Sequence, residues 1–151
     1  MKRGKPGTAA TETCYVETSA LLAALLEDDI DARQAIRGAV RRITSALTLT
    51  EANRAVVRAR AANRIDENGE RAAIRGLRIF AQRCTIVAIS DEVLTRAGRI
   101  FPVEPVRTLD AIHIATAELL GEPPQLITFV TRDKRIAANA RALGYSVLPE
   151  F

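Results

Sequence analysis

Cys14-Tyr15-Val16-Glu17-Thr18-Ser19-Ala20-Leu21-Leu22 is the stretch from which the fold is read. Three residues suited to a buried strand end in an acid, hydroxyl residues follow that can cap a helix, and Leu21, Leu22, Leu25 and Leu26 recur at helical spacing. A strand is therefore predicted over 14–16, and a helix capped by Thr18 or Ser19 that runs out near Glu27-Asp28-Asp29. A strand that feeds directly into a helix is the unit from which α/β domains are built.

The rest of the chain repeats the pattern. A second helix is predicted over 31–42 and a strand around 44–48, after which Thr50 reads as the N-cap of a helix with Ala52, Ala55, Val56 and Ala59 on its apolar face. Asp66 starts another helix, with Ala73, Leu77 and Phe80 on one stripe, and the two could form a hairpin. Cys84 to Ile89 is apolar and β-branched, as a buried parallel strand is. Ser90 caps the next helix, with Val93, Leu94, Ala97 and Ile100 inside, and Pro102 and Pro105 enforce an extended connection. A helix resumes at Thr108 and stops by Gly121, Leu126 to Val130 is a buried strand, Asp133 to Leu143 a helix, and Tyr145 to Leu148 a final edge strand. The expected fold is a single α/β domain whose mainly parallel central sheet, of about four to five strands, is flanked by helices.

Composition bounds the function. A chain of 151 residues fits one domain, here residues 13–151; residues 1–12, MKRGKPGTAATE, carry neither periodicity nor apolar mass and read as a flexible basic arm. Hydrophobic residues at 48% and charged residues at 26% match an ordinary globular domain and exclude a disordered one. One histidine and two distant cysteines cannot build a Cys₄ or Cys₂His₂ zinc site or a CxxC redox pair, so any metal is held mainly by oxygen. Six aromatic residues and no tryptophan supply little for base-stacking platforms. The net charge is +4, and all of the 22 basic residues except Lys2, Lys5 and Lys134 are arginine, which suits a polyanionic partner unless it only reflects codon usage. The lack of a signal-like start and of an apolar run near the ~18 residues that span a bilayer predicts a cytoplasmic protein without membrane contact.

In an open parallel sheet, ligands bind beyond the carboxyl ends of the strands. Glu17 ends the first predicted strand, Glu51 follows the second, Asp133 sits just past Val130, and Asp110 opens the helix after the prolines. Four carboxylates converging there would raise one another's pKa unless a cation neutralised them, and oxygen-only ligation selects Mg²⁺ or Mn²⁺. Such a site suits phosphodiester hydrolysis. Each acid has a plainer reading, since Glu51, Asp110 and Asp133 also suit helix N-termini, where negative charge is favoured. Asp28, Asp29, Asp66, Glu67, Asp91 and Glu92 read as turn, cap or solvated residues. His113, one turn after Asp110, could be a proton shuttle or phosphate contact, but amid Ile112, Ile114 and Ala115 it reads as a packed, hydrogen-bonded residue.

Tyr-Val-Glu-Thr-Ser-Ala-Leu at 15–21, Thr-Glu-Ala-Asn-Arg-Ala at 50–55, Arg-Thr-Leu-Asp-Ala-Ile-His-Ile-Ala-Thr-Ala at 107–117 and Val-Thr-Arg-Asp-Lys-Arg at 130–135 resemble, in this order and spacing, the PIN-domain ribonucleases, in particular the VapC-type toxins of bacterial toxin–antitoxin pairs. The resemblance covers residues 14–148. It implies an endoribonuclease in which Glu17, Glu51, Asp110 and Asp133 bind Mg²⁺ or Mn²⁺ and do the catalysis, with Ser19 and Thr131 as polar residues beside them. It also implies an RNA substrate, a homodimer and a small antitoxin partner, for which the helix at 19–26 and the hairpin at 51–83 are candidate surfaces. The family usually has aspartate where Glu17 stands; the extra methylene adds about 1.5 Å and one torsion, a tolerated variant or the mark of an impaired site. Arg54, Arg107, Lys134 and Arg135 flank the acids and could hold substrate phosphates. A structure-specific DNA nuclease of the same fold and a non-catalytic binding module are the alternatives.

Overall fold

The structure, a computed structural model, describes residues 11–151. Strands β1 (Thr13–Val16), β2 (Arg41–Ser45), β3 (Cys84–Val87), β4 (Ile127–Val130) and β5 (Ser146–Leu148) form one sheet in the order β3-β2-β1-β4-β5. Every pairing is parallel. Helices α1 (Thr18–Leu26), α2 (Ile30–Arg37), α3 (Ala46–Ala61), α4 (Glu67–Gln82), α5 (Asp91–Ala97), α6 (Thr108–Glu118) and α7 (Lys134–Ala142) cover it, so the expected α/β domain has five strands.

Alternation along β1 builds both layers. Cys14 and Val16 enter a core with Ala20, Leu21, Ile36, Leu77 and Phe80, whereas Tyr15 enters the opposite core with Ile114, Phe129 and Ile136. All four β1 residues are consequently buried, as a strand covered on both faces requires. Gly76 lets α4 approach α1, because a Cβ there would lie 2.6 Å from Leu25 Cδ2.

Strand order reverses at β1, where β2 and β3 lie to one side and β4 and β5 to the other. A crevice forms beyond the carboxyl ends at such a point. The backbone continues the ladder there: the Glu17 amide donates to the Val130 carbonyl at 2.9 Å and the Thr131 amide to the Leu148 carbonyl at 3.0 Å.

Several local expectations shift. The predicted helix over 31–42 stops at Arg37, and the predicted strand at 44–48 is displaced to Arg41–Ser45. Ser45, not Thr50, caps α3 by accepting the Leu47 amide, so Glu51 lies in the second turn of that helix. The apolar and β-branched run at 46–49 reads as strand, but it opens α3, and its buried Thr48 accepts the hydroxyl of Thr44, four residues earlier in β2, at 2.8 Å. Glu17 caps α1 in place of Thr18 or Ser19. The strand at 84–89 is not buried: β3 is the sheet edge, with Ile86 40% exposed. Leu94 and Ile100, placed inside by the periodicity, are exposed, because the short α5 buries only Val93. Leu126 belongs to a 3₁₀ turn, Pro124–Leu126, and is exposed. The predicted basic arm lies outside the described residues except Thr11 and Glu12, whose carbonyls accept the Val40 and Arg41 amides.

One ion pair ties the two ends of this edge together. Asp29 caps α2 by accepting the Ala32 amide, and Arg132 grips the same carboxylate through two bonds of 2.7 and 2.9 Å. The Arg132 guanidinium, and next the Ala32 amide, hold Asp29 down at about 2. A carboxyl whose folded pKa lies below its unfolded value of about 3.9 adds stability above about pH 4, and this is lost as pH falls toward 2. Asp29→Asn, which keeps a capping side chain but not the charge, is therefore expected to lower Tm at pH 7 by about 2–4 °C. Thermal scans should show the gap closing below about pH 3; a gap independent of pH would remove the ion pair as its origin.

Candidate active site

Three of the four acids singled out in the sequence sit at helix N-termini along the carboxyl edge of the sheet. Glu17 is buried at the end of β1: its Oε1 accepts the Ser19 amide at 3.0 Å, and its Oε2 accepts the hydroxyls of Ser19 at 2.5 Å and Thr131 at 2.6 Å. Asp133 caps α7 through Oδ1, which accepts the amides of Arg135 at 2.8 Å and Ile136 at 3.0 Å. Asp110 lies in the first turn of α6, directly after Arg107, Thr108 and Leu109.

These acids interact. Partial burial, and then the negative charges of Asp133 and Glu17, push the Asp110 carboxyl above its ordinary pKa; His113 and Arg107 act the other way. Hydroxyls beside the acids are themselves oriented by backbone: the Arg132 amide donates to Ser19 Oγ at 2.8 Å and the Asp133 amide to Thr131 Oγ1 at 3.0 Å.

Glu51 is held differently. Its Oε1 accepts the Thr18 hydroxyl at 2.8 Å and lies 2.6 Å from His113 Nε2. Burial pushes this carboxyl up, but the bonds from His113 and Thr18 outweigh burial and its pKa falls below the usual value. His113 is 1% exposed and its Nδ1 lies 2.8 Å from the Tyr15 hydroxyl. The packed and hydrogen-bonded reading of His113 therefore holds, with the addition that it contacts a candidate metal ligand. Burial, then the Glu17 charge, keeps Tyr15 a neutral phenol.

A protein-family model for the PIN domain matches residues 14–142. The ribonuclease VapC46 of Mycobacterium tuberculosis is 35% identical over 136 residues, 89% of this chain and 95% of that protein. The chain belongs to the PIN-domain family, among the VapC ribonucleases. Solved structures repeat the fold at lower identity. Mycobacterium tuberculosis VapC20, described as a sarcin-ricin loop cleaving toxin, has a TM-score of 0.61 at 19% identity over 83% of this chain and 93% of that one. VapBC-5 from the same organism, a member of the VapBC family of toxin–antitoxin systems, has a TM-score of 0.60 at 19% identity, over 91% and 98% of the two chains.

The four acids do not converge on one point in this PIN domain as the sequence suggested. Asp110 feels the charges of Asp133 and Glu17, while Glu51 is drawn toward His113 and Thr18. Among the described residues no three His, Cys, Asp or Glu side chains form a finished metal cage. Both oxygens of Glu17 are already engaged, Oε1 by the Ser19 amide and Oε2 by the hydroxyls of Ser19 and Thr131. The donor set still fits a hard divalent ion, being oxygen throughout, and Asp110, raised by burial and then by the charges of Asp133 and Glu17, is a carboxyl that a cation would favour in its ionised form. Arg54, Arg107, Lys134 and Arg135 are exposed, and among the described residues none of them enters an ion pair. Sequence reading missed the parts of Tyr15 and Thr18; the signal available was that His113, one helical turn beyond Asp110, is the chain's single histidine.

Removing one charge from a repelling set stabilises a fold. Asp110→Asn is expected to raise Tm of the metal-free protein by about 2–4 °C, the shift that corresponds to about 1 kcal/mol in a domain of this size. Saturating Mn²⁺ should raise Tm of the wild type and leave the variant nearly unmoved. A variant that melts lower than the wild type without metal would show that Asp110 has a structural rather than an electrostatic role.

Proposed function

We propose that this PIN domain is an endoribonuclease dependent on Mg²⁺ or Mn²⁺, the toxin of a type II toxin–antitoxin pair, working in the cytoplasm. The observation that carries the reading is the set of acids Glu17, Asp110 and Asp133 at the carboxyl edge of the sheet, where burial and then the charges of Asp133 and Glu17 raise the Asp110 carboxyl. Glu17, Asp110, Asp133 and Glu51 are the side chains that would hold the ion. When bound, it would supply the positive charge that lets the acids share this edge and would offset charge developing on a phosphodiester. The hydroxyls of Ser19 and Thr131 hold Glu17 in one orientation, and Asp133 keeps Oδ2 outside its capping bonds. Arg107 precedes Asp110 on its helix and Lys134 and Arg135 follow Asp133, so exposed cations stand next to two of the acids and Arg54 one turn beyond Glu51; they are suited to phosphate oxygens. The ribonuclease activity named for VapC46 supports RNA over DNA as the substrate.

The partner reading follows from surfaces. A groove of about 430 Å³ between α1, α2 and α4 has Leu21, Leu25, Ile36 and Phe80 as an apolar floor, with Arg37 and Arg83 among the arginines at its rim. It suits an amphipathic antitoxin segment carrying acids, and it uses the α1 and hairpin surfaces singled out in the sequence. Apolar side chains left exposed on and beside β3 and α5, among them Ile86, Leu94 and Ile100, are available to a homodimer.

Purified, antitoxin-free protein with Mn²⁺ is expected to cut RNA internally and leave DNA intact, and Asp110→Asn to slow cleavage about 100-fold or more. Glu17→Asp should match or exceed the wild type, and Glu17→Gln should lose activity. Cleavage of DNA instead selects the rival nuclease, and no cleavage of RNA with any divalent metal overturns the proposal. Arg37→Glu combined with Arg83→Glu is expected to release a co-expressed antitoxin from the complex on size-exclusion chromatography; an unchanged complex would place the contact elsewhere.

A further inference from the structure

Tyr15, His113, Thr18 and Glu51 form a buried chain of hydrogen bonds that links the core strand β1 to α6 and α3. Tyr15 comes from the middle of β1 and is fully buried, and His113 is almost so. Of the two ring nitrogens, Nδ1 faces the Tyr15 hydroxyl at 2.8 Å, and Nε2 faces Glu51 Oε1 at 2.6 Å and Thr18 Oγ1 at 3.2 Å.

Proton counting orders this chain. An ionised carboxylate only accepts, so Nε2 must carry hydrogen to bond Glu51. A hydroxyl can donate or accept, so the Tyr15 O–H satisfies Nδ1 in either role and leaves Nε2 to Glu51. The Thr18 hydroxyl gives its own proton to the same Oε1. Two donors on one oxygen leave the position of Oε2 determined and free of both. Packing reinforces this: the Tyr15 ring lies against Phe129, centroids 4.9 Å apart, so the phenol cannot swing away without opening the core.

We propose that Tyr15 and His113 are positioning residues for Glu51, holding Oε1 from the protein side so that Oε2 is presented at the cation-binding edge. This rests on the reading of Glu51 as a ligand. Second-layer partners of this kind typically contribute 10–100-fold to metal affinity.

The single histidine makes the test direct, because a ¹⁵N-histidine-labelled protein gives one imidazole. The wild type is expected to show a hydrogen on Nε2, and Tyr15→Phe a larger share of rings without one. Calorimetric Mn²⁺ titration should weaken about 10–100-fold in Tyr15→Phe and His113→Leu, with His113→Gln, which restores an N–H near the Nε2 position, recovering part of the loss. RNA cleavage in both impaired variants should return toward the wild-type rate at high Mn²⁺, which a general loss of folding would not allow. If Glu51→Gln lowers Mn²⁺ affinity while Tyr15→Phe and His113→Leu do not, the positioning proposal alone fails. If Glu51→Gln changes neither affinity nor cleavage in an active protein, Glu51 is no ligand and the proposal falls with that reading. An imidazole protonated only on Nδ1 in the wild type also overturns it.

Discussion

Attraction at helix ends set against repulsion between acids is the constraint on which this edge of the molecule depends. Glu17 caps α1, Asp133 caps α7 and Asp110 occupies the first turn of α6. Each helix end offers unpaired amides and a partial positive charge, worth about 0.3–1 kcal/mol to a nearby anion. Three such ends along one edge favour three carboxylates there. They do not neutralise them, since Asp110 is still pushed upward by Asp133 and Glu17. Capping does not exclude the ligand role proposed above, and the parallel register of β1 with β4 is what brings the ends of α1 and α7 together.

Charge elsewhere on the chain is divided in the same spirit. Arg132 pairs with Asp29, and Arg96 with Glu118 at 2.8 Å, both pairs partly shielded, and these tie elements of the fold to one another. Arg54, Arg107, Lys134 and Arg135 are exposed close in sequence to acids, and among the described residues none of them enters an ion pair. A site that is negative at its centre needs cations at its margin if a polyanion is to approach, and screening confines that help to about 8–10 Å at ordinary salt. The excess of arginine thus divides into pairs that brace the fold and exposed guanidiniums suited to phosphate.

Much of this was legible in the order of residues. The strand at 14–16, the acid that ends it, and the helices opening at 66, 90, 108 and 133 all follow from local rules of capping and period. What misled was any segment whose neighbours decide its state. Ala-Leu-Thr-Leu at 46–49 has the composition of a strand, yet Ser45 caps a helix there and a buried Thr44–Thr48 contact ties its first turn to β2. Cys84 to Ile89 has the composition of a central strand, yet the strand order leaves β3 at the edge. Edge position and the partner of a side chain are tertiary facts. For the same reason the four acids could be named from spacing, but that Glu51 would turn toward His113 could not.

Glu17 shows how the fold absorbs a methylene. A capping aspartate reaches the amides of the next turn with one methylene, and glutamate adds about 1.5 Å and a torsion. Here the longer arm is taken up by donors: Ser19 and Thr131 each give a hydroxyl proton to Oε2, and each hydroxyl oxygen is in turn fixed by a backbone amide, of Arg132 and Asp133 respectively. The added torsion is therefore not free, and the entropic argument against glutamate loses most of its force. The same donors draw electron density from the carboxylate, so toward any cation Glu17 would be a fixed but already shared anion. In the proposed site, tight ligation would then fall more heavily on Asp110, whose raised carboxyl would gain from a neighbouring positive charge, and on Asp133, whose Oδ2 is not engaged by the cap.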